Sequence, residues 1–267
     1  MFKIRWRGTW GVGDSMWGLN VAHVHAKKID APVNLEFHWS HDEDYLTHPD
    51  DPETIIERTE WIATRYHRED DVVITHVYNS DLFDPDNTSG VKFKDRFYFE
   101  DNSEDPQGIP PQNWGFKKQE FIDPLKKIVI FTPTHNSQPP RKWKRFLTNS
   151  DWDAIIQALR WRGWDTRILT YRTPIRDAYT QIKEARFVVC YDGMWHKIGR
   201  NFAKPMLIPS WEGITTYNTP NAVKISNRAK FLSAIGDGGE HFCTITMNMM
   251  NKQARQFRRE LDKTYED

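Results

Sequence analysis

Apolar positions along this chain come in short bursts that alternate with longer stretches of helical period. FKIRW (2–6), built of aromatic and β-branched residues, predicts a strand. GTWGVGDS (8–15) is a glycine-rich turn, and MWGLNVAHVHAKK (16–28) predicts a helix whose basic end suits the C-terminal dipole. VNLEFHW (33–39) alternates like a strand. PETIIERTEWIATRYH (52–67) has Pro at a helix start and apolar residues at helical spacing, and VVITHVY (72–78) predicts a third strand. The order β-α-β-α-β points to an α/β unit with a largely parallel sheet.

Residues 80–124 lose this periodicity. DLFDPDNTSG and EDNSEDPQGIPPQNWG are acidic turn formers, with FKDRFYFE (93–100) as a strand candidate between them. A second series then begins. KKIVIFTP (126–133) reads as a buried strand, and SDWDAIIQALRWRGW (150–164) as a helix with Ser150 as N-cap and Gly163 as its stop. Strands follow at 166–171, 186–191, 204–209 and 222–226, with helices predicted at 173–185 and 196–203. MNMMNKQARQFRRELDKTY (247–265) predicts a long basic helix. The expected architecture is α/β in two units, 1–122 and 123–246. Helix 247–267 is expected to cross back to the first.

Charge sharpens the division. The 267 residues carry no net charge, yet residues 1–125 hold 13 Lys and Arg against 24 Asp and Glu, and the rest hold 24 against 13. A basic half suits a phosphate-bearing ligand, although two solvated surfaces of opposite sign account for the same split. No apolar run approaches the ~18–20 residues of a membrane span, and no secretory h-region is visible at the N-terminus. Cys190 and Cys243 make no zinc framework, so a reduced, cytoplasmic setting is expected.

Three stretches carry candidate chemistry. In GTWGVGDS, no Gly-Lys-Ser/Thr follows, so it is not a phosphate-binding P-loop. Met16 stands where the third glycine of a dinucleotide fingerprint belongs. What remains is Asp14, flanked by Gly13 and Ser15 at a helix start: a general base or acceptor-binding carboxylate, or an ordinary N-cap. In THNSQPPRKWKRF (134–146), Arg141, Lys142, Lys144 and Arg145 follow a strand, where ligands bind in such sheets; they suit a diphosphate or form a solvated loop. In RFVVCYDGMWHKIGRNFAKPMLI (186–208), Asp192, Gly193 and His196 lie between a strand and a helix start, where backbone N–H groups meet anions. His196 at that start can donate to a phosphate or ribose, but a lone His there is more often an ordinary polar cap. The run HWSHDED, with His38, His41, Asp42, Glu43 and Asp44, fits no zinc spacing, and no metal is expected.

Taken together, Gly-Asp in the first strand–helix loop, a basic loop with Trp143 after the mid-chain strand, and Gly-x-x-His followed by Lys-Pro resemble the ADP-heptose:lipopolysaccharide heptosyltransferase family. The likeness is clearest over 126–210, with a weaker echo at 2–28. It implies an inverting, metal-independent glycosyltransferase of the GT-B type, with two Rossmann-like domains facing a cleft, 1–122 on the acceptor side and 123–246 on the nucleotide-sugar side, that uses a nucleotide-sugar as co-substrate and no cofactor. It implies Asp14 as the base, Arg141 as a phosphate contact, Gly193 and His196 as the donor motif, and Lys204 with Pro205 as its closing pair. The pattern departs at Tyr191, where the family has Asp, and the His-to-Pro interval is one residue longer. The expected partners are a nucleotide-sugar donor and a hydroxyl acceptor, a glycan or small molecule. One alternative acceptor is a hydroxymethylated base in DNA, tracked by RKWKR and KQARQFRR as in viral DNA glycosyltransferases. A nucleotide-sugar epimerase of the same architecture is another alternative.

Overall fold

The computed structural model describes residues 1–7, 12–39, 53–65, 72–80, 97–100, 128–132, 148–170, 172–191, 194–202, 206–209 and 222–225, with Lys204 and Ala229. The chain divides into two compact units, Met1–Lys117 and Lys118–Asp267, each with its own sheet. Among the described residues no helix is long and apolar enough to cross a membrane.

The first unit runs β1 (Phe2–Arg7), α1 (Val12–Ile29), β2 (Val33–His38), α2 (Ile55–Ala63), β3 (Val72–Val77) and β4 (Phe97–Phe99). Its sheet has the order β3-β2-β1-β4; the first three strands are parallel, and β4 adds antiparallel to the edge at β1. Register places Ile4, Leu35 and Ile74 on one row and Trp6, Phe37 and His76 on the next. Ile4, Trp6, Leu35 and Phe37 are wholly buried there. The helices pack on this face: a Cβ at Gly18 of α1 would come within 2.9 Å of Phe37 and 3.2 Å of Trp6. Helix α1 begins earlier than the sequence pattern suggests. It takes in Val12 to Ser15, and Val12, Gly13, Ser15, Met16, Trp17, Leu19, Asn20, Val21 and Ala22 are all buried. The described residues of its first half are buried on every side, so no apolar stripe marks its start. At its end Asp30 takes the left-handed conformation (φ 51°), and the Ala31 N–H reaches the Ala26 carbonyl, which closes the last turn.

The second unit runs β5 (Ile128–Thr132), α3 (Asn149–Trp161), β6 (Asp165–Ile168), α4 (Ile175–Glu184), β7 (Phe187–Cys190), α5 (Met194–Asn201), β8 (Met206–Pro209) and β9 (Ala222–Ile225). All its pairings are parallel, in the order β6-β5-β7-β8-β9. Thr148, not Ser150, caps α3. Its hydroxyl accepts from the Asp151 N–H at 3.2 Å, and the Asp151 carboxylate accepts from the Thr148 N–H at 2.8 Å. The helix ends where Gly163 (φ 77°) turns left-handed, its N–H on the Arg160 carbonyl and that of Trp164 on Leu159, a Schellman closure.

Candidate functional site

The strand order of the second unit defines one special edge. From β5 the chain moves outward to β6, then crosses back to β7 on the other side of β5 and continues to β8 and β9. The direction of winding therefore reverses between β5 and β7. Ligands of open α/β sheets bind beyond the carboxyl ends of the strands at such a reversal. Thr132 and Cys190 pair at these two carboxyl ends. The segment bearing Arg141, Lys142, Lys144 and Arg145 follows Thr132 in sequence, and Asp192 and Gly193 follow Cys190 and Tyr191. Arg141, Lys142, Lys144, Asp192 and Gly193 themselves lie outside the described residues.

Helix α5 opens at Met194, two residues before its expected start, so His196 is the third helical residue and not a cap. It is only 2% exposed, and Trp195, Lys197 and Ile198 beside it are buried as well. Gly199 lets α5 settle on β8, since a Cβ there would come 2.9 Å from the Met206 sulfur. Tyr191, which stands where the heptosyltransferase pattern has Asp, is buried and meets Trp152 edge-on at 5.8 Å. Lys204 has a structural task in the fold. Its buried Nζ donates to the Lys183 carbonyl at 2.6 Å, in the last turn of α4, where the helix dipole favours a cation.

In the first unit, Asp14 is the third residue of α1, inside the first turn and not in a preceding loop. The N-cap reading of Asp14 is thereby replaced by a position where a carboxylate is favoured by the dipole alone. Gly13 and Ser15 on either side are buried in the same turn. His41, Asp42, Glu43 and Asp44 of the HWSHDED run fall outside the described residues, as does the stretch 247–265 where a helix is expected. Among the described residues no group of three or more His, Cys, Asp or Glu could hold a metal ion.

A second constellation, which sequence pattern did not single out, occupies the face of the first sheet opposite α1 and α2. Lys3, Arg5, Glu36 and His38 alternate with the core residues and so share this face. The Glu36 carboxylate receives Lys3 Nζ at 3.2 Å, Arg5 Nε at 3.4 Å and His38 Nε2 at 3.4 Å. On its other side, His38 Nδ1 lies 2.6 Å from Ser80 Oγ. Burial opposes charge on Glu36, but the bonds from Lys3 and His38 outweigh it and hold the carboxyl below its usual range. Burial pushes the His38 imidazole below its usual range, and Glu36 only partly restores it. At neutral pH the set is therefore an ionised carboxylate and a neutral ring. Nε2–H then donates to Glu36, and Nδ1 accepts the Ser80 hydroxyl proton. Ser80 is placed by backbone: Asn79 turns left-handed (φ 48°) just past β3, and the Ser80 N–H donates to the Trp39 carbonyl at 3.0 Å. Asn tolerates that conformation better than most residues. The sequence signals available were Glu-x-His on one alternating strand and Asn-Ser beyond the next; neither spacing reveals that His38 and Ser80 meet.

No protein-family model matches this chain, and the search of curated proteins gave no match. Among solved structures, the chain is similar to the bacterial iron-containing dodecameric glycosyltransferase TibC from enterotoxigenic E. coli. The TM-score is 0.46 at 11% identity, over 96% of this chain and 76% of that one. A likeness of that size assigns neither fold nor chemistry, which rest on the topology and residues above.

Proposed function

We propose that the chain is an inverting, metal-independent glycosyltransferase of the two-domain GT-B type, whose second unit binds a nucleotide-sugar. The observation that carries this reading is the winding reversal between β5 and β7. The two segments that leave those strand ends contain Arg141, Lys142 and Lys144 on one side and Asp192, Gly193 and His196 on the other. Arginine and lysine supply the charge-assisted bonds that a diphosphate needs, and the start of α5 adds a favourable dipole. In the reaction, the acceptor hydroxyl oxygen bonds to the anomeric carbon as the bond from that carbon to the diphosphate breaks. The nucleoside diphosphate leaves with its electron pair, stabilised by the cations. Asp14, in the first turn of α1, takes the hydroxyl proton. The heptosyltransferase-like motif order supports the same assignment.

Calorimetry with UDP-, GDP-, ADP- and CMP-sugars in the presence of EDTA tests the donor site. One of them is expected to bind, and Arg141→Ala to weaken it by ~1–3 kcal/mol, the range for a charge-assisted hydrogen bond. Absence of binding by all four, or unchanged affinity in Arg141→Ala, overturns the assignment. With a donor identified, Asp14→Asn is expected to keep donor affinity and cut turnover at least ~100-fold. Loss of the dipole interaction alone would cost only ~0.3–1 kcal/mol of stability.

A further inference from the structure

Glu36, His38 and Ser80 form a hydrogen-bonded series, with a carboxylate at one ring nitrogen of His38 and a hydroxyl at the other. We propose that Ser80 is an activated nucleophile toward carboxylic esters, with His38 as its base and Glu36 as the carboxylate that orients the ring. Three observations carry this. The Ser80 Oγ–His38 Nδ1 distance of 2.6 Å is within direct proton-transfer reach. Glu36 approaches the opposite ring nitrogen at 3.4 Å, a long contact but one that fixes which nitrogen keeps the proton, and resting-state bonds of this kind are often loose. Finally, Ser80 follows a left-handed residue just beyond the carboxyl end of β3, which sets it at the same end of the sheet as His38, the last residue of β2.

The ring is used in the opposite sense from the common serine hydrolase triad, with the serine on Nδ1 and the carboxylate on Nε2. Such sites are defined by geometry and role, and the electronic logic is the same either way round. In the reaction, Ser80 Oγ bonds to the ester carbonyl carbon and its proton passes to His38 Nδ1. The carbon–alkoxide bond breaks, and the departing alkoxide takes that proton from His38. Water then attacks the acyl-Ser80, giving its proton to His38, and the carboxylic acid leaves as Ser80 Oγ regains a proton. The Ser80 N–H is already committed to Trp39. The positive charge this face offers a developing oxyanion is that of Lys3 and Arg5, both about half exposed. The inference does not depend on the donor site of the second unit.

The test uses the full chain and a fluorophosphonate, whose phosphorus bonds to the serine oxygen as fluoride leaves and the proton goes to His38. Peptide mapping by mass spectrometry is expected to find a single modified serine, Ser80. The rate in His38→Gln should be at least ~100-fold lower, the lower end for removal of a general base. Glu36→Gln should lie between the two, and p-nitrophenyl acetate should show a burst that Ser80→Ala abolishes. Circular dichroism reports whether each variant folds; if neither ring nor carboxylate variant does, the wild-type map alone decides. No adduct at Ser80, or labelling as fast in folded His38→Gln as in wild type, overturns the proposal and leaves these residues as an ion network of the sheet.

Discussion

Strands β2 and β7 hold equivalent places. Each lies inside its sheet with parallel neighbours on both sides, and each is almost wholly buried. Their sequences differ in kind. FVVC is apolar on both faces, as expected of a strand covered from both sides. VNLEFH is apolar only on the face toward α1, and its other face carries Asn34, Glu36 and His38. A buried carboxylate and imidazole are costly unless paired, and here they are paired, with Lys3, Arg5 and Ser80. The difference teaches where to look for chemistry. β7 contributes packing, whereas β2 brings titratable groups into a covered layer.

The comparison breaks most visibly if both strands are given a new carboxylate. Val188→Asp, at a fully buried position of β7, is expected to cost more than ~4 kcal/mol and to unfold the second unit. Asn34→Asp on the polar face of β2 keeps an acceptor for the Thr75 hydroxyl, 3.0 Å away, and should cost under ~1 kcal/mol. Urea titrations that give the two variants equal midpoints would remove the distinction.

A smaller effect separates the two close helix–strand approaches. Gly18→Ala drives a methyl against Phe37 and Trp6, rings held within a packed sheet, and should destabilise by ~1–3 kcal/mol. Gly199→Ala meets the end of the flexible Met206 side chain. Its cost should be lower, offset in part by the ~1 kcal/mol that Ala gains over Gly in a helix. The order of the two thermal midpoints checks this, and a Gly199→Ala loss larger than that of Gly18→Ala would reverse it.

The least effect, and the most specific, is in pH. His38 binds its proton less readily folded than unfolded, so its contribution is complete above the unfolded value of about 6.5 and is lost as pH falls through the folded one. Glu36, also depressed, holds its contribution down to about pH 4.3 and loses it below. Stability should therefore decline in two steps on acidification, and His38→Gln should flatten the first. Melting curves at pH 7.5 and 5.5 for both proteins measure the difference. Equal slopes would mean that burial does not perturb the ring.

Much of the fold is legible in the chain, for reasons particular elements make plain. Strands β2, β3, β5 and β7 follow from alternation or apolar runs bounded by polar turns, and Gly163 marks the end of α3 because its left-handed turn suits glycine. Element starts are less legible. Ser150 and Thr148 each have an aspartate three residues on, at Asp153 and Asp151, so both satisfy the capping-box spacing. Packing chooses Thr148, because that frame buries Asp151 and Trp152 and leaves Ser150 and Asp153 in solvent. At the winding reversal of the second sheet, the residue types of the basic segment and the Asp192–His196 stretch are visible in sequence, but the burial of His196 and the task of Lys204 are not.

The sequence by itself determined the order of strands and helices, the two-part charge distribution and the residue types that can hold a diphosphate. These depend on local period and composition, which act over a few residues. The tertiary structure alone decided that the second sheet reverses its winding between β5 and β7, that Asp14 lies within a helix, and that Ser80 meets His38 across 42 residues. Alternation fixes which face of a strand a side chain takes, but not which residue of a distant segment stands opposite it. That depends on strand order and register, set by the packing of the whole core.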